Sequence, residues 1–477
     1  MNVYYDDIHN SFAYVLYQNG NWIEAEKLEV EVMEKRQQLL GPTHPHTLNS
    51  MGNLASTYRK QGKWTRAEKL QVEVMKKRQQ LQGPAHPDTL TAMGNLASTY
   101  RYQGRWTEAE ELQVEVMKKR QQLLGSAHPD TLTSMVNLAS TYRYQGKWTK
   151  AEKLEVEVME KLQQLLGLDH PHTLTSMANL ASTYRKQGKW TEAENLEVEV
   201  MEKSQQLLGP AHPDTLTSMG NLASTYRYQG KWTEAEKLDI EVMEKRQQLL
   251  GLAHPDTLTS MANLASTYWT QGKWTEAEKL DVEVMEKRQQ LLGPTHPQTL
   301  TIMGNLASTY WNQGKWTEAE KLNVEVMEKS QQLLGPAHPD TLKSMANLAS
   351  TYREQGKWTK AEKLQAEVME KRQQLLGPDH PDTLTSMANL ALIYKDQGKW
   401  TNAEVLLITV ASKRREILGF DHPDTQNSLT ALEDFKKKKM DMDITRDGSG
   451  ENKATVSDYM PFLLEAFRGR SPCFGSK

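Results

Sequence analysis

Residues 44–85 read HPHTLNSMGNLASTYRKQGKWTRAEKLQVEVMKKRQQLQGPA, and this stretch decides the fold of most of the chain. The His-Pro dipeptide that begins it returns every 42 residues without a slip, from His44 to His422. A tryptophan follows the same spacing, from Trp22 to Trp400. A period of this length indicates a solenoid, in which each unit packs on its neighbours and a single unit is unstable.

The first half of each unit predicts an amphipathic helix, called helix A. Between Leu48 and Tyr58 the apolar residues recur at a spacing that places them on one side of a helix. Helix A should begin near Pro45, because proline suits the first helical position, and should stop at Gly62, which tolerates a left-handed closing residue.

The second half predicts a longer helix, called helix B, from Thr65 to about Gln82. Thr65 and Glu68 have the spacing of a capping box, so Thr65 is predicted to cap the helix. The apolar stripe is predicted to contain Ala67, Leu70, Val74 and Leu81. The connections are short, so neighbouring helices should pack antiparallel. The predicted fold class is therefore an all-α superhelical solenoid of helix-turn-helix units.

The two ends of the array depart from the repeat. Residues 1–43 form a degenerate first unit that is predicted to act as an N-terminal cap, and residues 44–421 hold nine 42-residue units. Residues 422–435 open one more helix A and are predicted to form a C-terminal solvating helix. From residue 436 the composition turns polar and glycine-containing, so residues 436–477 are predicted to be a disordered tail.

Composition narrows the class of protein. Charged residues make up 25% of the chain and the net charge is −3, which does not favour a strongly basic nucleic-acid binder. No apolar run is long enough to span a membrane, and the N-terminus lacks a signal-peptide pattern. The single cysteine, Cys473, excludes an intrachain disulfide. A cytoplasmic location is therefore expected.

The recurring histidines do not predict a metal site. Equivalent positions in stacked units lie on the order of 10 Å apart, whereas zinc ligands lie about 2 Å from one ion. The glutamates of helix B are read as a solvated face. We therefore expect no enzyme, no metal and no cofactor.

Two motifs carry a family resemblance: MANLASTYRKQGKWTEAE at residues 177–194 and LLGPAHPDTL at residues 207–216. They resemble the tetratricopeptide repeat of the kinesin light chain type, and the wording of the unit is similar to arrays that fungi attach to STAND-class signalling proteins. The resemblance implies a right-handed superhelix whose concave surface, lined by helix A, binds peptides or partner domains. The chain lacks the G-x-x-x-x-G-K-[ST] motif of a nucleotide-binding STAND domain.

The predicted open face of helix A carries an asparagine in every full unit. The resemblance implies that this asparagine contacts the backbone of a ligand, and its amide can both donate and accept. The alternative is that it holds neighbouring helices in place. The nine asparagines are Asn53, Asn95, Asn137, Asn179, Asn221, Asn263, Asn305, Asn347 and Asn389.

Two further positions at the end of helix A vary between units, and the first of them is predicted to set specificity. The first holds Lys60, Tyr102, Tyr144, Lys186 and Tyr228, and then Thr270, Asn312, Glu354 and Asp396. The second holds Arg59, Arg101, Arg143, Arg185 and Arg227, and then Trp269, Trp311, Arg353 and Lys395. The arginines favour a partner with acidic residues, and the tryptophans are candidate apolar anchors. Arginine in a last helical turn is also stabilised by the helix dipole alone.

The leading hypothesis is a non-enzymatic scaffold that binds a peptide segment or partner domain in a concave groove. One alternative is a sensor arm that acts with a STAND-type nucleotide-switching protein. A third alternative is RNA binding, because interleaved arginine and tyrosine can stack on bases.

Overall fold

The computed structural model describes the backbone of residues 2–448 and the side chains of residues 9–439. This part of the chain is all-α, which confirms the predicted fold class. Helices A and B alternate along the array. The helices are α1 (Asn2–Gln18), α2 (Trp22–Leu40), α3 (Pro45–Lys60), α4 (Trp64–Gln82), α5 (Pro87–Tyr102), α6 (Trp106–Leu124), α7 (Pro129–Tyr144), α8 (Trp148–Leu166), α9 (Pro171–Lys186), α10 (Trp190–Leu208), α11 (Pro213–Tyr228), α12 (Trp232–Leu250), α13 (Pro255–Thr270), α14 (Trp274–Leu292), α15 (Pro297–Asn312), α16 (Trp316–Leu334), α17 (Pro339–Glu354), α18 (Trp358–Leu376), α19 (Pro381–Asp396), α20 (Trp400–Leu418) and α21 (Pro423–Gly448).

Helix A begins and ends where the sequence predicts. Pro45 occupies the first turn of α3, and the Nδ1 atom of His44 accepts a hydrogen bond from the backbone N–H of His46 at 3.2 Å. The recurring histidine is therefore a helix cap. At the other end Gly62 has φ +73°, and the N–H of Lys63 donates to the carbonyl of Tyr58 at 2.8 Å. This bond closes the helix with glycine in the left-handed region.

The predicted capping box of helix B is wrong. Helix α4 begins at Trp64, its cap position is Lys63, and no side chain caps it. Glu68 instead accepts hydrogen bonds from the next unit, from Gln103 at 2.8 Å and Arg105 at 2.7 Å. The amide of Gln103 and the guanidinium of Arg105 stabilise the Glu68 carboxylate more than a single backbone N–H of its own helix would.

The buried stripe of helix B differs from the apolar stripe that the sequence predicts. Ala67 and Val74 are buried, but Leu81 is 56% exposed because helix B continues beyond the neighbouring helices A. The buried positions in its place are Gln71 and Arg78, which are polar. Buried polar groups require hydrogen-bond partners, and both residues find them in the following unit.

The apolar core runs from unit to unit without a break. In one cluster, Leu48, Met51 and Val74 pack together with Ala92 of the next unit. Consecutive helices A also approach each other directly, for example α9 and α11, and α11 and α13. The array therefore curves with helix A on the inner, concave side.

Successive turns of the solenoid touch. The Nε2 atom of His296 lies 3.0 Å from the carbonyl oxygen of Lys60, and the same pairing joins His338 to Tyr102 at 2.9 Å. Each pair is 236 residues apart, which is between five and six units of 42 residues. The His338 ring also packs against Trp64, with ring centroids 5.2 Å apart. We call this line of contacts the seam; it joins the start of a helix A in one turn to the end of a helix A in the turn below.

The C-terminal helix is longer than the sequence predicts. Helix α21 begins at Pro423 and continues to Gly448, beyond the expected end at residue 435. Phe435 is buried against Trp400, with ring centroids 5.5 Å apart, and Lys439 pairs with Glu404 at 2.6 Å. These contacts with α20 stabilise α21 beyond residue 435, where the sequence predicts its end. The rest of the expected tail, residues 449–477, lies outside the described residues.

Candidate protein-binding surface

The nine asparagines of helix A line the concave side, but their exposure differs. Asn53 is exposed and its amide donates to Asn10 at 3.4 Å, whereas Asn305 is buried. The other seven are half-buried. Eight of the nine asparagines are therefore at least partly exposed, and only Asn305 is buried.

A row of buried polar pairs holds each helix B to the helix A of the next unit. Thr99 donates to Gln71 at 2.5 Å, and Thr267 donates to Asp239 at 2.6 Å. Where the threonine is replaced by Ile393, the amide of Gln365 donates to the carbonyl of Ser386 instead, at 3.0 Å. These pairs stabilise the array and lie behind the concave surface.

Three of the predicted binding arginines serve the array itself. Arg143, Arg185 and Arg227 donate to backbone carbonyls of the next unit, at 3.1, 3.0 and 3.0 Å. Arg185 is also 3.2 Å from Glu197, and Arg143 is 3.5 Å from Glu155. Guanidinium groups that are buried and paired in this way are not available to a ligand. We therefore remove these three arginines from the candidate surface.

Arg353 pairs with two carboxylates, that of Glu354 in its own helix at 3.4 Å and one in the next unit. The helix B of the same unit carries the neutral Gln365. The Nε atom of Arg353 pairs instead with Asp396 of the next unit, at 2.5 Å. Asp396 occupies the position at the end of helix A that varies between units. A carboxylate at this position thus pairs with the arginine of the preceding unit.

Arg59 and Arg101 have the same neutral neighbours in helix B, Gln71 and Gln113, but no such carboxylate. The variable position opposite them holds Tyr102 and Tyr144, and Arg101 lies over these rings at 5.7 Å from each centroid. Arg59 lies over Tyr102 at 6.0 Å. Among the side chains that the structure describes, no carboxylate lies within ion-pair distance of either arginine. We call these four residues the arginine–tyrosine cluster.

The arginine–tyrosine cluster also contains unpaired donors. The Nη1 atom of Arg59 and the Nε atom of Arg101 are buried and have no hydrogen-bond partner among the described residues. Burial lowers the pKa of Arg59, an effect that nearby Tyr102 and Tyr17 oppose and Arg101 reinforces. Both tyrosines keep an exposed edge, at 36% for Tyr102 and 38% for Tyr144. The cluster therefore offers buried positive charge beside exposed rings.

The two tryptophans stand where other units have arginine. Trp269 and Trp311 are half-buried, and the indole N–H of each is buried without an acceptor in the described part of the chain. Asp281, in the helix B that follows Trp269, consequently has no arginine from helix A. Burial raises the pKa of Asp281 to about 7, against the effect of the hydrogen bond from Thr309 and the charge of Arg288.

Of the remaining predicted residues, Lys60 and Lys186 lie near the seam. Lys60, Lys186 and Tyr228 are half-buried, and the Lys60 carbonyl is the acceptor for His296. The variable position is therefore shared between the concave surface and the contact between turns. No pattern in the sequence predicts this second role.

The described residues meet the requirements neither of a metal-ion site nor of a membrane-spanning helix. They contain no group of three or more histidine, cysteine or acidic side chains that could hold a metal ion. No helix between residues 2 and 448 is long and apolar enough to cross a membrane.

Antiparallel helix pairs repeated in tandem around a polar concave surface define an α-solenoid of the helix-turn-helix repeat class. The tetratricopeptide repeat model matches the chain in overlapping segments, and the chain belongs to this family. The matched residues are 5–80, 53–118, 88–164, 130–206, 214–281, 262–328, 301–374 and 344–407. No curated protein matches the chain.

Several solved structures are similar. The nearly identical tetratricopeptide-like repeats of a Podospora anserina putative kinesin light chain are 30% identical, with a TM-score of 0.38, over 43% of this chain and 98% of that one. BtubC (BKLC) from P. vanneervenii is 20% identical, with a TM-score of 0.39, over 50% and 92% of the two chains. A Rap protein in complex with competence and sporulation factor is 12% identical, with a TM-score of 0.46, over 82% and 98%.

Proposed function

We propose that the chain is a non-enzymatic scaffold that binds an acidic segment of a protein partner on its concave surface, at the arginine–tyrosine cluster. The observation that carries the proposal is the contrast between Arg353 and Arg101. Arg353 pairs with Asp396 at 2.5 Å, while Arg101 faces Tyr144 at the equivalent place. A partner carboxylate would complete for Arg101 the ion pair that Asp396 completes for Arg353.

The energetics favour a small number of strong contacts. A micromolar complex needs about 8 kcal/mol of binding free energy. Two charge-assisted hydrogen bonds of about 1.5–3 kcal/mol each would supply a large share. The rings of Tyr102 and Tyr144 add apolar and stacking area beside them. The half-buried asparagines would then orient the peptide backbone, at about 1 kcal/mol for each neutral bond.

A selection from a randomised peptide library displayed on phage tests this proposal. We expect the wild type to enrich peptides with Asp or Glu, and the Arg59→Gln/Arg101→Gln variant to lose this enrichment. Arg353→Gln is the matched control, because its guanidinium is already paired inside the array, and it should enrich the same peptides as the wild type. Enrichment of acidic peptides that survives Arg59→Gln/Arg101→Gln would overturn the proposal.

The other two hypotheses predict different results. A sensor arm of a STAND-type protein would use the same surface, and its ligand would be a folded signalling domain rather than a short peptide. RNA binding would appear as affinity for a single-stranded oligonucleotide that falls steeply with salt. We favour the acidic peptide because Arg353 of this chain already donates to a carboxylate, that of Asp396.

A further inference from the structure

Helix B carries a second arginine that recurs with the repeat and is buried in almost every unit where it occurs. It belongs to the inner stripe of helix B and points to the following helix A. It is found as Arg36, Arg78, Arg120, Arg246, Arg288, Arg372 and Arg414. In three units the position holds Leu162, Ser204 or Ser330 instead.

The acceptors of these arginines recur with the same spacing. Arg120 donates to the backbone carbonyl of Asp130 at 3.0 Å and to the hydroxyl of Thr91 at 3.1 Å. Arg372 donates to the carbonyl of Asp382 at 3.1 Å and to the hydroxyl of Ser386 at 2.8 Å. Arg414 contacts all three kinds of oxygen, the Asp424 carbonyl at 3.4 Å and the hydroxyls of Thr385 and Ser428 at 3.3 and 2.7 Å. This three-oxygen receptor, one carbonyl and two hydroxyl positions, recurs in part of the array, and other units lack one hydroxyl, as at Ile302 beside Arg288.

At Ser330 the receptor is present without its arginine. The equivalent oxygens belong to Thr301, Asp340 and Ser344, and all three residues line a cavity of about 50 Å³ between α15, α16 and α17. Ser330 itself is 2% exposed and forms part of the cavity wall. A few water-sized groups fit in this volume, which matches the four heavy atoms of a guanidinium group. We call this cavity the Ser330 pocket.

The Ser330 pocket lies beside the asparagine ladder of the concave surface. Asn305 and Asn347, which belong to the asparagine ladder, line it together with Gly304, whose missing side chain leaves its rim wide. One cation, Lys343, and one carboxylate, that of Asp340, also line it.

We infer that the Ser330 pocket binds the guanidinium group of an arginine side chain from a protein partner. The chain shows the chemistry of this ligand, because its own arginines fill the equivalent space in seven units. A planar group with donors on two sides fits three oxygens held by two helices, whereas an ammonium group is a point charge with a different geometry. This inference rests on the proposed function only in that it takes the arginine to come from a partner that binds the concave surface.

The two sites lie close to the same part of the seam. Asp340 follows His338, whose ring contacts the Tyr102 carbonyl, and the Asp340 charge acts on the Tyr144 phenol. A segment that carries both acidic residues and an arginine would thus engage the arginine–tyrosine cluster on one side of the seam and the Ser330 pocket on the other.

Calorimetric titration of the full chain with methylguanidinium tests the pocket directly. We expect the wild type to bind methylguanidinium at Ser330 and at Ser204, where the three oxygen positions recur as Thr175, Asp214 and Ser218. Ser330→Arg should bind one equivalent fewer, because its new side chain occupies the receptor. Arg246→Ser is a matched positive control, since it opens a space with the same three oxygen positions, those of Thr217, Asp256 and Ser260, and should add one equivalent. Circular dichroism confirms that both variants are folded.

Methylammonium serves as the ligand control. If it binds as well as methylguanidinium, or if Ser330→Arg binds methylguanidinium as well as the wild type does, the inference is wrong. The outcome is independent of the acidic-peptide selection, which uses Arg59 and Arg101. Guanidinium binding without acidic enrichment would refute only the proposed function, and the reverse result would refute only the Ser330 pocket.

Discussion

The Nε2 atom of His296 lies 3.0 Å from the carbonyl oxygen of Lys60, although 236 residues separate the two. The Nδ1 atom of the same ring accepts from the N–H of Gln298 at 3.1 Å, so the neutral ring carries its proton on Nε2 and donates it to Lys60. One side chain therefore caps a helix and joins two turns of the solenoid. The seam therefore joins the end of one helix A to the start of another helix A in the next turn.

The glycines at the seam provide the first prediction. A Cβ atom on Gly62 would lie 2.5 Å from the Cδ atom of Pro297, whereas a Cβ atom on Gly272 would meet nothing within 4 Å. Both glycines have similar φ values, +73° and +78°, so alanine costs about 1–2 kcal/mol of backbone strain at either position. Only Gly62→Ala should also separate the two turns of the solenoid at the seam, because its Cβ atom would collide with Pro297.

Small-angle X-ray scattering measures this difference. We expect Gly62→Ala to increase the radius of gyration relative to both the wild type and Gly272→Ala, while all three keep the same helix content. Equal radii for the two variants would show that the seam does not hold the turns together in solution.

The second prediction concerns the pH dependence of the seam. Burial lowers the pKa of His296 to about 4, while the hydrogen bond to the Lys60 carbonyl opposes this shift. The unfolded chain has an ordinary histidine pKa of about 6.5. Because the folded pKa is depressed, the unfolded chain takes up a proton first, and stability falls as the pH decreases from about 6.5 to about 4.

Chemical denaturation between pH 7.5 and 4 measures this loss, which we expect to be about 3 kcal/mol from the size of the shift. His296→Asn should remove this part of the pH dependence, because asparagine can cap a helix without titrating. His44→Asn, at an equivalent cap outside the seam, should leave the dependence unchanged. A wild-type slope that persists in His296→Asn would contradict the assignment.

The third prediction concerns the buried carboxylates of helix B. Because burial raises the pKa of Asp281 to about 7, its folded form keeps a proton that the unfolded chain loses above about pH 4. This residue therefore lowers stability as the pH rises from about 4 to 7. Asp281→Asn should stabilise the protein by about 1–3 kcal/mol at pH 7.5, since Asn323 already bonds Thr351 in the next unit at 3.1 Å.

Asp239→Asn is the informative comparison. Asp239 shares its surroundings with Arg227, and each charge favours the ionised form of the other. Removing this carboxylate leaves a buried guanidinium uncompensated, so the variant should be destabilised by about 3–5 kcal/mol. Thermal unfolding of the two variants should therefore give shifts of opposite sign; shifts of the same sign would refute the distinction between the two carboxylates.

The fourth prediction uses the variable position at the end of helix A. Tyr144→Asp places a carboxylate opposite Arg101 in the way that Asp396 stands opposite Arg353. The new internal ion pair should compete with an acidic ligand and weaken its binding by ten-fold or more. Tyr144→Asn, which cannot neutralise Arg101, should weaken binding less. Fluorescence polarisation with a selected acidic peptide measures both, and equal losses would point to the lost ring alone.

The sequence predicts the array well because the repeat itself encodes it. The bounds of helix A follow from Pro45 and Gly62, and the apolar stripe of helix A packs as expected. The sequence misled at helix B, where Thr65 and Glu68 matched a local capping pattern but Glu68 bonds the next unit. A local pattern cannot reveal that a neighbour supplies better donors.

The site was harder to predict for two physical reasons. Whether Arg185 or Arg101 is free depends on the residue twelve positions later, Glu197 or Gln113, which only packing brings into contact. The seam depends on the small rotation between units summed over a whole turn, which no single unit encodes. Two signals in the sequence could have helped: serine replaces the recurring arginine of helix B at Ser204 and Ser330, and isoleucine replaces the recurring threonine of helix A at Ile393.

Site-specific photocrosslinking tests the central claim, that the concave surface binds an acidic segment, most directly. A photoreactive residue is placed at Tyr102 in one variant and at Lys119, a half-buried residue of helix B α6, in another. Each variant is mixed with a labelled acidic peptide from the selection. We predict a crosslink at position 102 that excess unlabelled peptide removes, and none at position 119. Equal crosslinking at both positions, or crosslinking at 119 alone, would contradict the account.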